Sequence, residues 1–254
     1  MTDTETDRPD ETAAPETDKT FAATRTRLST YRTLSREVEG WITDTAVAIA
    51  VSILDAQARL DITGDMLEIG AWHGKSAMLW MAFSRMSERT VIVDLAGRDP
   101  LGQNLQTAAE VMNRKHELMV KSSFRFPDPE WAAQNYRRFR LIHIDGDHSA
   151  AGIQNDLEVT LPLLHPFGAI VVDDFLNPRF PQISEVTFDF CNRHRHAVGL
   201  LASGGNKGFI VGAKAYDRMH AALGQTLPRI IPLTGAKAEI FEASAQNRPS
   251  FGVR

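Results

Sequence analysis

Cysteine is nearly missing from the sequence. Cys191 is the single thiol among 254 residues, so no internal disulfide can form and a cysteine metal cluster is excluded; Cys191 itself reads as a small buried apolar group. Long apolar runs are missing too. No stretch reaches the roughly 18 residues that a membrane span requires, and the first residues are acidic, without the apolar core of a secretory signal. A cytoplasmic location with no membrane partner is the resulting expectation. Charge of one sign is not in excess. The formal net charge is -4, which gives no overall pull toward nucleic acid. The asymmetry is local: residues 1–20 hold seven acids against Arg8 and Lys19, which leaves the rest of the chain near neutrality. That segment, rich in Thr, Asp, Glu and Pro, has too little apolar surface to order itself and reads as a disordered acidic tail. Hydrophobic residues make up 43% of the chain, enough for the core of one domain with extensions.

Residues 21–58 read as a helical cover. Ile42, Ala46, Ile49, Ile53 and Leu54 recur at three- and four-residue spacings. From 59 to 212 strands and helices alternate. Met66–Gly70, Thr90–Leu95, Leu118–Lys121, Phe139–Ile144 and Phe167–Val172 read as strands. Ser76–Met86, Leu101–Lys115, Ser149–Leu164 and Phe180–His194 read as helices, and Pro127–Asn135 as a loop with a helical turn. Phe167–Val172 lacks alternation, as expected of a strand covered on both faces. Ala197–Ala202 and Gly208–Gly212 flank Ser203-Gly204-Gly205-Asn206 as a closing hairpin. The pattern predicts an α/β fold: a doubly wound, mostly parallel sheet, Rossmann-like, with N-terminal helices and a C-terminal antiparallel hairpin. Residues 213–254 show one helical piece near Ala215–Leu223 and then a weakly patterned tail. No internal repeat is present.

Leu141–Phe175 carries the most chemistry. It reads LIHIDGDHSAAGIQNDLEVTLPLLHPFGAIVVDDF, two apolar strand-like runs that each end in acids, with a helical segment between them. Asp145 closes the first run, His148 follows three residues later, and Asp173–Asp174 close the second. Strand ends of an open parallel sheet form one ligand-binding edge, so three carboxylates and a histidine are expected at one place. Such oxygen ligands suit Mg²⁺ or another divalent cation with open positions for substrate oxygens; helix capping is the simpler reading of Asp145 and Asp174, and solvent that of Asp147. His148 is a candidate general base for a hydroxyl whose pKa a cation lowers. Arg193-His194-Arg195-His196 reads as a solvated helix end.

The second motif is Leu67-Glu68-Ile69-Gly70-Ala71-Trp72-His73-Gly74-Lys75-Ser76, a strand running into a glycine turn and a helix. Gly70 and Gly74 permit tight turning and close approach of a ligand, and a helix start offers free N–H groups. A dinucleotide G-x-G-x-x-G fails at Trp72, and a P-loop is one residue short before Gly74-Lys75-Ser76. The turn resembles the E-x-G-x-x-x-G of S-adenosylmethionine-dependent methyltransferases, and fits it without a gap. Asp94 ends the next strand, where an acid can accept ribose hydroxyls. Ser122 and Ser123 follow the third strand, where a hydroxyl could meet adenine or simply serve a turn.

Taken together, LEIGAWHGKSA, IDGDHSAAGIQNDLEVTLPLL and GAIVVDDF resemble a class I methyltransferase, specifically the branch that includes the macrolide-sugar O-methyltransferases; the resemblance spans roughly Glu39–Gly212. EGWITDTAVAIA is similar to the entry helix that helps cover the cofactor. The resemblance implies S-adenosylmethionine near Glu68, Gly70, Ala71, Trp72, Ser76 and Asp94, and a divalent ion on Asp145, Asp173 and Asp174. It implies a histidine base at His148, where the catechol-type enzymes carry a lysine. The family's substrate-gripping insertions find no match in residues 213–254, so the acceptor stays open. Family members often form dimers or larger rings, which leaves a homo-oligomer open here.

The expectation is a metal-dependent transfer of methyl from S-adenosylmethionine to a hydroxyl of a small-molecule acceptor, a sugar or polyol. The alternatives are a phenolic acceptor, a P-loop-like nucleotide hydrolase and a non-catalytic nucleoside-binding module.

Overall fold

In the computed structural model, residues 16–95 and 99–254 are described. Residues 1–15 of the expected tail lie outside them, and from Glu16 the chain is helical, inside the segment read as tail. Helix α1 (Glu16–Ser35) and α2 (Asp44–Arg59) precede the sheet. They are separate because Gly40 at φ 145° lies between them and Thr43 caps α2, its hydroxyl accepting the Ala46 N–H at 3.0 Å. Then follow β1 (Asp65–Ile69), α3 (Lys75–Phe83), β2 (Arg89–Asp94), α4 (Asp99–Met112), β3 (Lys115–Val120), α5 (Pro129–Gln134) and β4 (Phe139–Ile144). Next come α6 (Ala150–Thr160), β5 (Leu164–Asp173), α7 (Pro181–Arg193), β6 (Val198–Gly204), β7 (Lys207–Gly212), α8 (Tyr216–Thr234), β8 (Ile240–Ala245) and β9 (Arg248–Val253).

All strands join one sheet in the order β3-β2-β1-β4-β5-β7-β6-β9-β8. β3 to β5 are parallel, and β7 adds to β5 in the opposite sense, as the alternation and the late hairpin predict. The strand order turns back on itself between β1 and β4, the position where open α/β sheets open a crevice at their strand ends. Because side chains alternate along a strand, each face carries its own core. Met66, Leu141, Val171 and Phe209 point toward α1, α2, α3 and α8. Leu67, Ile142, Ile170 and Ile210 point toward α6 and α7.

The C-terminal reading needs correction. The helix expected near Ala215–Leu223 continues to Thr234 through Pro228 and Pro232, residues that normally end a helix. Leu227, Ile230 and Ile231 are buried against the core, and this burial outweighs the lost backbone bonds. The weakly patterned tail is a second hairpin, β8 against β9, with β9 parallel to β6. β8 is an exposed edge strand, so its residues show no buried periodicity.

At the strand starts, opposite the acidic ends, a buried ion pair ties the layers together. Arg140 donates to both Glu88 oxygens at 3.0 and 2.9 Å, to Gln57 Oε1 at 2.8 Å and to the Phe83 carbonyl at 2.9 Å. Gln57 in return donates to the Arg140 carbonyl at 2.7 Å. Removing one partner of such a pair leaves an uncompensated charge in the core. Glu88→Ala is therefore expected to lower unfolding free energy in urea by about 3–5 kcal/mol; a loss below about 1 kcal/mol would mean that Arg140 is satisfied without Glu88.

Candidate active site

The glycine turn and the acidic strand ends open onto one cavity of about 890 Å³, within the usual range for small-molecule sites. Gly70, Ala71, Trp72, Ser76, Asp94 and Ser122 line one part of it; Asp145, His148, Asp173 and Asp174 line another. Glu39–Thr43 also line it, held by Lys75 Nζ donating to the Gly40 carbonyl at 3.2 Å and Thr43 Oγ1 donating to the Gly205 carbonyl at 3.1 Å. The entry segment thus borders the cavity, as the resemblance implies.

The turn after β1 is built on left-handed backbone. Gly70 has φ 78°, Trp72 φ 52° and Gly74 φ 89°. A Cβ on Gly70 would meet the Asp145 carbonyl at 2.0 Å, so its glycine serves the close approach of the β4 end rather than of a ligand. Trp72 holds a conformation costly for a bulky residue. Asp94 secures it: one carboxylate oxygen accepts the Ala71 N–H at 2.9 Å and the Trp72 N–H at 3.2 Å. Asp94 therefore shapes the turn as well as facing the cavity. Ser122 Oγ accepts the Phe124 N–H at 3.3 Å and caps a short 3₁₀ turn while lining the cavity.

Glu68 is a correction. Its side chain points away from the cavity into the core and is fully buried. Oε1 lies 2.6 Å from His143 Nδ1, and Oε2 is buried without a protein hydrogen bond. The acid at this position sits on the face opposite Leu67 and Ile69, so alternation carried it under α3, where Trp80 packs on His143 with ring centroids 5.2 Å apart.

The acids at the ends of β4 and β5 come together as the spacing predicts, with one difference. His143, Asp145 and Asp173 offer donor atoms all within 4.8 Å of one another; Asp174 lies outside that group. Asp174 stands at φ 54°, a conformation aspartate tolerates, and its Oδ1 accepts from Asn177 and Asn206. The His148 ring lies between the acids: Nε2 is 3.4 Å from Asp145 Oδ1 and Nδ1 is 3.4 Å from Asp174 Oδ2. Phe180 packs edge-on to the ring at 4.5 Å, and Gln182 donates to the His148 carbonyl at 2.7 Å. Asp145 is no helix cap; Ser149 caps α6, and Asp147 bonds Ser149 at the surface.

Charge follows from this packing. Burial and then the neighbouring Asp173 push the Asp145 pKa up, against the hydrogen bond with His148. Burial works in the same direction on Asp173, but Lys207 and His143 outweigh it and hold its pKa down. The hydrogen bond with Asp145 raises the His148 pKa, which partial burial only offsets. Two carboxylates this close with one already hard to ionise form a donor set that fits a hard divalent cation. Sequence reasoning missed His143, Lys207 and Asn206. His143 and Lys207 sit in apolar strand runs, and only their place on the sheet brings them to the acids.

Residues 67–175 match the model of a methyltransferase domain. Comparison with curated protein sequences gave no match. Among solved structures, the chain is similar to apo CalS11, a TDP-rhamnose 3'-O-methyltransferase of calicheamicin biosynthesis, at 17% identity and TM-score 0.52, over 78% of this chain and 95% of that one. It is similar to the O-methyltransferase NovP at 12% identity and TM-score 0.50, over 66% and 80%. A protein from Corynebacterium glutamicum aligns at 13% identity and TM-score 0.52, over 79% and 92%. The matched segment runs from β1 to just past β5 and contains both the glycine turn and the acidic strand ends. Residues 67–175 are therefore similar to a methyltransferase domain, and the sheet that surrounds them has the fold of these solved O-methyltransferases.

Proposed function

We propose that this protein transfers the methyl group of S-adenosylmethionine to a hydroxyl of a sugar or small polyol, with a divalent ion such as Mg²⁺ held at Asp145 and Asp173. The observation that carries the reading is the His148 imidazole flanked by Asp145 and Asp174 in the cavity that the glycine turn also lines. The cofactor supplies a methyl group on a sulfonium, and the ion supplies Lewis acidity to an acceptor oxygen. The chain's own residues do the rest. Asp174 orients the ring by accepting the Nδ1 proton, which leaves Nε2 to receive the proton of the acceptor hydroxyl. Asp145 beside Nε2 stabilises the imidazolium so formed, the same contact that raises the histidine's pKa. The Ala71–Trp72 turn, braced by Asp94, places backbone for the cofactor. Alignment of acceptor oxygen and methyl is the protein's main contribution.

The sugar acceptor is supported by His148, since the resemblance puts a lysine there in the catechol-type enzymes, and by the TDP-rhamnose activity that CalS11 is named for. The acceptor is a small molecule. Nothing in the site's chemistry calls for nucleic acid, and no helix of the described residues is long and apolar enough to cross a membrane.

Three measurements test the reading. His148→Ala should lower kcat by about 10²–10⁴-fold while calorimetry shows S-adenosylhomocysteine still bound; turnover within a few-fold of wild type refutes the base. Asp94→Ala frees the strained turn and should weaken S-adenosylhomocysteine about tenfold or more by the same titration, and an unchanged affinity removes Asp94 from the cofactor site. Stripping divalent ions with EDTA should abolish methylation of a sugar acceptor and leave cofactor binding intact, whereas full activity in EDTA rules out the ion.

A further inference from the structure

A cation is already built into the acid cluster. Lys207 opens β7 straight after the Gly205–Asn206 turn and pairs across the sheet with Asp173 of β5. It is 2% exposed. Its ammonium lies 2.7 Å from Asp173 Oδ2 and 3.2 Å from His143 Nε2. An ammonium has donors only, so His143 accepts at Nε2, keeps its proton at Nδ1 and donates it to Glu68 Oε1 at 2.6 Å. Glu68 stands opposite His143 in the β1–β4 ladder, and His143 stands opposite Val171, two residues before Asp173. All these side chains therefore share one face, and their contacts cross four neighbouring strands from the glycine turn to the acids.

This arrangement changes what the cluster can offer. His143 Nε2 is within reach of Asp145 and Asp173, but its lone pair is engaged by Lys207. Asp173 Oδ1 accepts the Asp174 N–H at 2.8 Å and Oδ2 accepts from Lys207, so both of its oxygens are bonded before any ion arrives. A burial this deep is costly for a lysine unless its charge is matched, and here it is matched by an acid that lines the cavity.

We propose that Lys207 is the resident counter-cation of the Asp145–Asp173 pair, a positioning residue that keeps these acids in place without an ion and, through its own charge, weakens their grip on a divalent one. The inference rests on the ion placed at Asp145 and Asp173 above. Two like charges sharing one carboxylate in a partly dry site repel strongly. The consequence is an enzyme whose acid cluster is preformed and whose ion exchanges readily, instead of one that needs metal to assemble the site.

The test uses the full chain and Mn²⁺ alone as probe, with free Mn²⁺ followed by electron paramagnetic resonance, so that turnover is not the readout. Lys207→Met removes the charge at similar length, Lys207→Gln does so with a polar group, and Lys207→Arg keeps it. Lys207→Met or Lys207→Gln should bind Mn²⁺ about tenfold more tightly or better, and Lys207→Arg should stay close to wild type. The neutral variants should also melt earlier without ion and recover more on adding Mn²⁺ than wild type does. Equal or weaker Mn²⁺ affinity in whichever neutral variant folds overturns the proposal and leaves Lys207 a structural ion pair. If both neutral variants fail to fold with or without Mn²⁺, Lys207 is structural and the proposal falls as well. Wild type that binds Mn²⁺ with no tightening in the variants sinks only the role of Lys207. Failure of every form to bind Mn²⁺ sinks the ion reading together with it.

Discussion

Two carboxylates held close together on adjacent strands are the constraint on which the site depends. Asp145 ends β4 and Asp173 ends β5, and parallel pairing fixes their separation before any ligand is present. Left alone, their repulsion would push the strand ends apart or protonate one of them. The fold answers with groups on either side. His148 sits against Asp145 and Asp174, and Lys207 sits against Asp173. The remaining negative charge stays at this rim of the cavity, on Asp145 and Asp174.

The sheet topology does the positioning. β7 runs antiparallel to β5, so the start of β7 meets the end of β5, and a residue following the hairpin turn arrives beside an acid. A parallel seventh strand would present its end there instead, and Lys207 would be at the far side of the sheet. Asn206 in the same turn reaches Asp174, so the hairpin braces both members of the acid pair. On the other side of the crevice, Asp94 at the end of β2 holds the Ala71–Trp72 amides. Glycine turn and acid cluster are thus each braced by a neighbouring strand end, and Gly70 lets the two loops touch.

Much of this was legible in the chain because it is local. Apolar runs of β-branched residues between helical periodicities predict the parallel strands, and acids at the ends of such runs predict a charged rim. Asp145, His148 and Asp173 are found together for that reason. Other features were not legible. Glu68 lies in a motif that points to the cofactor, yet period-two alternation turns it into the core toward His143. α8 continues through two prolines because its buried face is worth more than the missing bonds, a balance that depends on α2 packing against it. β8 and β9 carry little pattern because one is an exposed edge and pairs only with the other, itself beside a strand far earlier in the chain.

By itself the sequence determined the α/β class, the glycine turn, the helix after His148 and the set of acids, since each depends on residues within a few positions of one another. The tertiary structure alone decided which of those acids bring their oxygens close together, that Asp174 faces His148 and two asparagines, and that a lysine some thirty residues on pairs with Asp173. The physical reason is range: propensity and periodicity act along the chain, whereas charge pairing is settled by strand order and register, which only the folded sheet specifies.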